Sequence, residues 1–180
     1  MSEQSEKLRA HALEARREHR LNDALQDLLE AVALTRKSGD ELDLANTLTA
    51  LGQIERDLHH NDAALKNYEE AVAIYREKGD VLKLAHTIRH VGDIHRQERR
   101  ASQAEPCYHE ALNLYRGDSK TAPLDLANTL RGFALLRDDS GEFLQAKPLW
   151  EEARNLYAAV GVQEGVAESS RRLALLAERA

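Results

Sequence analysis

The sequence predicts an all-α fold in which helix pairs stack as a right-handed α-solenoid closed by a single helix. Ala and Leu make up 55 of the 180 residues, whereas Gly (9) and Pro (3) are scarce. This composition favours helices packed through small and unbranched side chains over a β-sandwich or barrel. Apolar residues follow helical spacing, and the pattern returns about every 40 residues. Because one helix pair cannot bury its apolar face alone, stacked pairs would form a continuous core.

The repeat is clearest in a Leu-Ala-x-Thr-Leu/Ile frame, which places Ala45, Ala85, Ala127 and Ala167 at steps of 40, 42 and 40 residues. A two-residue insertion near residues 119–122 explains the longer step. The predicted organisation is one domain over residues 1–180, with repeats at about 5–40, 41–80, 81–122 and 123–162 and a capping helix at 163–178. Other positions keep the same register, namely Ala24, Ala64, Ala104 and Ala146, then Ala31, Ala71, Ala111 and Ala153, then Tyr75, Tyr115 and Tyr157.

Nine helices are predicted, near residues 5–18, 22–38, 41–58, 62–78, 81–98, 102–116, 123–138, 142–160 and 163–178. The first pair is the most degenerate and keeps mainly its register alanines. In the second pair, Leu44, Leu48, Leu51 and Ile54 follow the 3–4–3 spacing of an amphipathic helix. The third and fourth pairs follow by repeat register. The ninth helix has a polar side that would solvate the end of the array.

Residues at the helix ends agree with these boundaries. Gly39, Gly79 and Gly161 each follow a second helix, where a left-handed C-cap suits glycine. Asp40 and Asp80 come next and can cap the following helix. Pro106 and Pro148 occupy equivalent positions and are predicted near a first helical turn, where a missing N–H costs least. Small residues recur where two helices of one pair could cross closely, at Gly52, Gly92 and Ala134.

The pattern resembles the tetratricopeptide repeat (TPR) family over nearly the whole chain. The 40-residue period and the segment at residues 71–80 resemble the extended repeats of kinesin light chains and of bacterial regulatory TPR arrays. The resemblance is specific for fold and unspecific for partner. The matching residues are Leu48, Leu51, Gly52, Ala64, Tyr68 and Ala71, then Ile88, Val91, Gly92, Ala104, Tyr108 and Ala111, then Leu130, Phe133, Ala134, Ala146, Trp150 and Ala153.

The resemblance implies that the first helix of each pair lines a concave groove, so groove positions follow from the register. One row reads Arg9, Thr49, Arg89, Arg131 and Arg171, and another reads Arg16, Arg56, Arg96 and Asp138, so seven of the nine are arginines. A basic groove and an acidic back are therefore expected, the back bearing Glu69, Glu70, Glu110, Glu151 and Glu152. The predicted partner-binding residues are Asn46, Arg56, His86, Arg89, His90, Arg96, Asn128, Arg131 and Arg171.

Guanidinium groups suit bidentate capture of carboxylates, so the predicted function is a non-enzymatic scaffold that binds an acidic peptide or partner segment. Reversing the charge of Arg89 and Arg131 should then abolish partner capture and leave helicity intact. The alternative interpretation is that these arginines are solvated helix formers paired with nearby Asp or Glu. Two further functions stay open: a regulatory sensor of a small anionic ligand or signalling peptide, and a weak homo-oligomer assembled through solenoid ends near residues 16–29 or 173–176.

Several other classes are disfavoured. The formal net charge of −6 argues against nucleic acid or an anionic membrane as partner. The single cysteine, Cys107, excludes an internal disulfide and a cysteine-based zinc site. His86, His90 and Asp93 share one helix face, but the outer two are about 10 Å apart along the axis, so no metal site is expected. Because no catalytic motif or apolar leader is present, we expect neither enzymatic activity nor a cofactor, and a cytoplasmic location.

Overall fold

The computed structural model describes residues 3–178, and the ends of the predicted domain at 1–2 and 179–180 lie outside this range. The described residues form nine helices and no strand. The prediction of an all-α fold built from helix pairs is thereby confirmed, with each boundary within two residues of its predicted place. The helices are α1 (Glu3–Arg17), α2 (Leu21–Ser38), α3 (Glu41–Asp57), α4 (Asn61–Lys78), α5 (Val81–Gln97), α6 (Ala101–Gly117), α7 (Pro123–Asp139), α8 (Phe143–Ala159) and α9 (Gln163–Ala177).

The helix ends follow the predicted cap chemistry. Gly39, Gly79 and Gly161 have φ angles of 71°, 71° and 75°, in the left-handed region that glycine tolerates. The Asp40 side chain accepts a hydrogen bond from the Asp43 backbone N–H at 3.0 Å, and Asp80 accepts one from the Lys83 N–H at 3.2 Å. The strong local signals in the sequence therefore set where each pair begins and ends.

The proline prediction is wrong in detail. Pro106 and Pro148 lie inside α6 and α8, each as the sixth residue of its helix. They are therefore in the second turn, where a proline leaves the carbonyl four residues earlier without its helical donor. Both prolines are exposed, so water can satisfy that carbonyl and the helix continues.

The chain divides into two compact units, one ending at Thr87 and the other beginning at Ile88, within α5. In the first unit the described helices α1–α4 enclose a core that includes Ala12, Ala15, Ala24, Leu28, Leu51 and Ile54. Gly52 lies against the ring of Tyr68, and a Cβ atom at this glycine would stand only 2.7 Å from the ring Cε1. The prediction of a close helix crossing at Gly52 is thus confirmed.

The second unit has a larger aromatic core. One cluster contains Ala104, Tyr108, Leu112, Ala127, Leu130, Phe133, Leu136, Ala153 and Tyr157. A neighbouring cluster surrounds Trp150, which is fully buried, and includes Ala134, Ala146 and Leu176. The tyrosines at the repeat positions are core residues, because Tyr68, Tyr75, Tyr108, Tyr115 and Tyr157 are each at most 2% exposed.

The last helix differs from the other first helices. Ala45, Ala85 and Ala127 are fully buried, whereas the equivalent Ala167 is exposed. In the described residues no helix follows α9 to cover this side. Within residues 3–178, none of the helices combines the length and the apolar character that crossing a membrane requires.

Candidate functional site

The arginines of α1 reach from the first helix pair to α3 of the second. Arg9 Nη2 lies 2.7 Å from Asp43 Oδ1, and Arg16 Nε donates to Asp57 Oδ2 at 2.6 Å. Asp43 is buried and also accepts a hydrogen bond from the Ser5 hydroxyl at 2.9 Å. These two members of the arginine rows therefore have carboxylate partners within the first unit.

Asn46 is held by a tyrosine of its own pair. The Tyr75 hydroxyl donates to Asn46 Oδ1 at 2.9 Å. Because the amide oxygen is engaged, the free hydrogen-bonding capacity of this half-buried side chain lies mainly in its amide nitrogen, which is a donor. The other two predicted binding residues of the first unit, Arg56 and His86, are also half-buried.

Asn128 repeats this arrangement in the second unit. The Tyr157 hydroxyl donates to Asn128 Oδ1 at 2.8 Å, and burial raises the pKa of Tyr157 to about 12, so the hydroxyl keeps its proton at neutral pH. Gly165 of α9 packs on the Tyr157 ring so closely that a Cβ atom would stand 2.5 Å from the ring Cγ. The orientation of Asn128 therefore depends on packing between α8 and α9.

Arg89 and His90 belong to a buried polar cluster rather than to an open surface. The Arg89 side chain is 12% exposed and donates through Nη1 to Asp93 Oδ2 at 2.9 Å, and His90 is 3% exposed. Arg89 Nη2 lies 3.0 Å from His90 Nε2. The other oxygen of Asp93 accepts a hydrogen bond from the Tyr108 hydroxyl at 2.8 Å. In this structure the side chains of Arg89 and His90 are mostly covered, so they offer little surface area to a partner.

Arg96 is mostly covered and is also paired. Its Nη1 donates to Asp139 Oδ2 at 2.9 Å, and its side chain is 18% exposed. Arg96 and Asp139 line an open pocket of about 390 Å³ together with the exposed Arg99. Because both basic and acidic side chains line the pocket, its charge does not favour an anion.

Arg131 and Arg171 are the more accessible of the predicted binding residues in the second unit. Arg131 is 41% exposed and grips Glu168 with two parallel hydrogen bonds, Nε to Oε2 at 2.5 Å and Nη2 to Oε1 at 2.8 Å. Hydrogen bonding to Arg131 lowers the pKa of Glu168, with smaller contributions from the charges of Arg172 and Arg171. Arg171 is exposed and makes no ion pair within residues 3–178. With Asn128 one turn from Arg131, these groups form a cluster of donors, which we call the α7–α9 surface.

The ion pairs repeat with the helices. Arg16–Asp57 and Arg96–Asp139 occupy equivalent positions of the first-helix row, and Arg36–Glu70 and Arg116–Glu152, both at 2.7 Å, do so in the second-helix row. In each case the arginine contacts an acid of the next repeat. Acids thus accompany the arginines of the predicted groove, and arginines accompany the predicted acidic back, so the segregation of charge is less complete than the sequence indicated.

The sequence contained signals for some of these contacts that the groove interpretation passed over. Arg89 and Asp93 are four residues apart on one helix, the spacing of an intrahelical ion pair. Glu168 stands at the position that holds Asn46 and Asn128, and it has an acidic side chain in place of their amides. Among residues 3–178, no group of three or more His, Cys, Asp or Glu side chains is arranged to hold a metal ion.

Known proteins share this fold at low sequence identity. The crystal structure of BtubC (BKLC) from P. vanneervenii is 18% identical, with a TM-score of 0.79 over 87% of this chain and 64% of that one. The chain therefore spans less than two thirds of BtubC. A kinesin light chain-like protein from Podosopora anserina with nearly identical TPR-like repeats is 12% identical, with a TM-score of 0.74 over 99% of this chain and 98% of that one. No curated protein sequence matches the chain.

These neighbours confirm the α-solenoid class and the resemblance to TPR proteins. The family model described as soluble NSF attachment protein, SNAP, matches residues 2–161, which is most of the chain. That family is itself TPR-like and helical. By this match, the chain belongs to the soluble NSF attachment protein family.

Proposed function

We propose that this chain is a non-enzymatic scaffold that binds an acidic segment of a partner protein on the α7–α9 surface. TPR-like repeat folds typically mediate protein–protein interaction, and their families are generally non-enzymatic scaffolds. The family description names attachment to NSF, and by analogy the partner here would be a protein rather than a small molecule. The observation that carries the proposal is the accessible pair of guanidinium groups at Arg131 and Arg171.

The contacts of Arg131 support a carboxylate ligand in particular. Its guanidinium already holds both oxygens of Glu168, which is the fork-to-fork geometry that arginine uses for carboxylates. The amide nitrogen of Asn128 adds a donor beside it, because its oxygen is engaged by Tyr157. A partner segment that supplies acceptors, such as acidic side chains and backbone carbonyls, would match these donors.

The remaining predicted binding residues take different parts in this proposal. Arg89 and His90 are too covered for direct contact and would position the surface. Asn46, Arg56 and His86 belong to the first unit, and Arg96 is paired with Asp139, so none of them is part of the α7–α9 surface. The proposal therefore rests on Asn128, Arg131 and Arg171.

Reversing the charge of both accessible arginines should remove the site. We expect an Arg131→Glu/Arg171→Glu variant to bind a fluorescein-labelled octaglutamate peptide at least about tenfold more weakly than the wild type, since hydrogen bonds to charged groups contribute about 1.5–3 kcal/mol each. Fluorescence anisotropy at low ionic strength gives the affinities, because screening weakens exposed charge pairs. Circular dichroism checks that the helices remain.

A matched control is a Lys66→Glu/Lys147→Glu variant, which changes the net charge equally at exposed positions of the second helices α4 and α8. It should bind the peptide like the wild type. Equal losses in both variants would mean that the peptide responds only to net charge, and undiminished binding by the arginine variant would also rule the proposal out.

Self-association is a second candidate function, favoured by an apolar patch in the second unit. Leu144 is 86% exposed and Leu175 is 48% exposed. Leu144, Phe143 and Leu176 line a pocket of about 460 Å³. An exposed apolar pocket of this kind can receive an apolar side chain of another chain.

We expect light scattering over a dilution series to show a mass that rises above 20.2 kDa as the concentration increases. A Leu144→Glu variant should stay at the single-chain mass, because it removes the most exposed apolar side chain. A wild-type mass that stays constant throughout the series would contradict this function.

A further inference from the structure

Glu168 lies where a ligand carboxylate would lie on the α7–α9 surface. Both of its oxygens accept hydrogen bonds from Arg131, at 2.5 Å and 2.8 Å. The charges of Arg171 and Arg172, three and four residues further along α9, also act on this carboxylate. Arg172 Nη1 also lies 3.7 Å from Asp138 Oδ2, so Arg131 is the guanidinium group that holds Glu168 directly.

The repeat register shows how Glu168 differs from Asn46 and Asn128. Glu168 is equivalent to Asn46 and Asn128, and each of those amides is engaged by a tyrosine from the second helix of its pair. In residues 3–178 no second helix follows α9, so no equivalent tyrosine restrains Glu168. Its side chain instead reaches α7 and occupies Arg131. The position that presents an amide at Asn46 and Asn128 therefore presents a carboxylate at Glu168.

We propose that Glu168 is an internal competitor for the acidic partner at Arg131, so that it weakens the binding of acidic segments to the α7–α9 surface. This inference rests on the proposed function. A partner carboxylate that binds Arg131 must displace Glu168, whereas a carboxylate that binds Arg171 displaces no acid of residues 3–178. A partner with clustered acids replaces Glu168 on Arg131 and also binds Arg171, which has no ion pair among the described residues.

Glu168 competes at a high effective concentration but through a weak ion pair. Glu168 is tethered to the same chain, so its effective concentration at Arg131 exceeds that of a dissolved peptide. The Arg131–Glu168 pair is partly exposed, and such pairs contribute little net free energy. Glu168 can therefore discourage weak ligands without closing the site to strong ones.

A Glu168→Gln variant tests this inference, since it keeps the shape of the side chain and removes its charge. We expect the variant to bind a peptide containing a single glutamate about three- to fivefold more tightly than the wild type does, in keeping with the strength of exposed ion pairs. The gain for octaglutamate should be at least as large, because this peptide must also displace Glu168 to bind Arg131. Fluorescence anisotropy with both labelled peptides gives the four affinities.

Glu164→Gln is the matched control, because Glu164 is an exposed acid of the same helix and its replacement changes the net charge equally. It should change both affinities much less than Glu168→Gln does. Unchanged affinities in Glu168→Gln would overturn the inference, as would an equal gain in the control. In that case, a loss of octaglutamate binding in Arg131→Glu/Arg171→Glu would still uphold the proposed function. Absence of octaglutamate binding by both the wild type and Glu168→Gln would overturn both proposals.

Discussion

A Tyr108→Ala variant is expected to unfold with a free energy about 3–5 kcal/mol below that of the wild type, the range for removing a large buried aromatic side chain. Tyr108 is fully buried, and its ring stacks on Phe133 with 5.7 Å between centroids. Gly132 approaches the same ring, where a Cβ atom would stand 2.7 Å from Cε1. Because α7 is shaped around this ring, we expect that it cannot close the cavity that alanine would leave.

The hydroxyl of Tyr108 contributes separately from its ring. It donates to Asp93 at 2.8 Å, and burial raises the pKa of Tyr108 far above its usual value, so the hydroxyl stays protonated. A Tyr108→Phe variant should therefore lose about 1–3 kcal/mol, the cost of leaving a covered acceptor without its donor. The difference between the free energies of unfolding of the two variants measures the contribution of the aromatic ring.

Urea unfolding followed by tryptophan fluorescence suits this measurement. Trp150 is the only tryptophan of the chain and is buried in the same unit as Tyr108. Repeat proteins can unfold in more than one step, so a probe within the unit is preferable to one that averages over the chain. A loss below about 1 kcal/mol for Tyr108→Ala would show that the site relaxes around the smaller side chain.

Helix positions and the buried faces were predictable because their causes are local. The aromatic positions at 68, 108 and 150 follow from repeat spacing, and the glycine caps follow from backbone preference. The turns within pairs were not foreseen. His19, His59 and Arg99 have φ angles of 59°, 63° and 60°, although non-glycine residues avoid this region at a cost of about 1–2 kcal/mol. Only Gly141, at the equivalent position with φ 73°, hints at this conformation in the sequence.

The arginine rows were predictable by register, but their partners were not. Arg16–Asp57 and Arg96–Asp139 join residues of successive repeats, so they depend on how one helix pair stacks on the next. Sequence spacing predicts contacts along one helix. It does not give the distance between residues of two stacked helix pairs. For the same reason the hydrogen bonds between Arg131 and Glu168 were not foreseen.

The buried state of Arg89 predicts that its charge reversal damages the fold. We expect Arg89→Glu to lower the free energy of unfolding by about 3–5 kcal/mol, the range for breaking a buried ion pair. The new carboxylate would replace a guanidinium that donates to Asp93 at 2.9 Å, so two acids would meet beside His90, with little water to screen them. Arg131→Glu, the same change at the equivalent position of the next repeat, should cost less than about 1 kcal/mol, because Arg131 is 41% exposed.

Urea unfolding followed by Trp150 fluorescence compares the two variants within one unit. The comparison also decides how partner capture can be tested. If Arg89→Glu unfolds the second unit, the loss of capture expected for Arg89→Glu/Arg131→Glu would have a trivial cause, and helicity would not be preserved. Arg131 and Arg171 would then be the informative positions. If Arg89→Glu proved as stable as Arg131→Glu, the ion pair of Arg89 with Asp93 would not be needed for the fold. The Arg89 guanidinium would then again be a candidate for direct contact with an acidic partner.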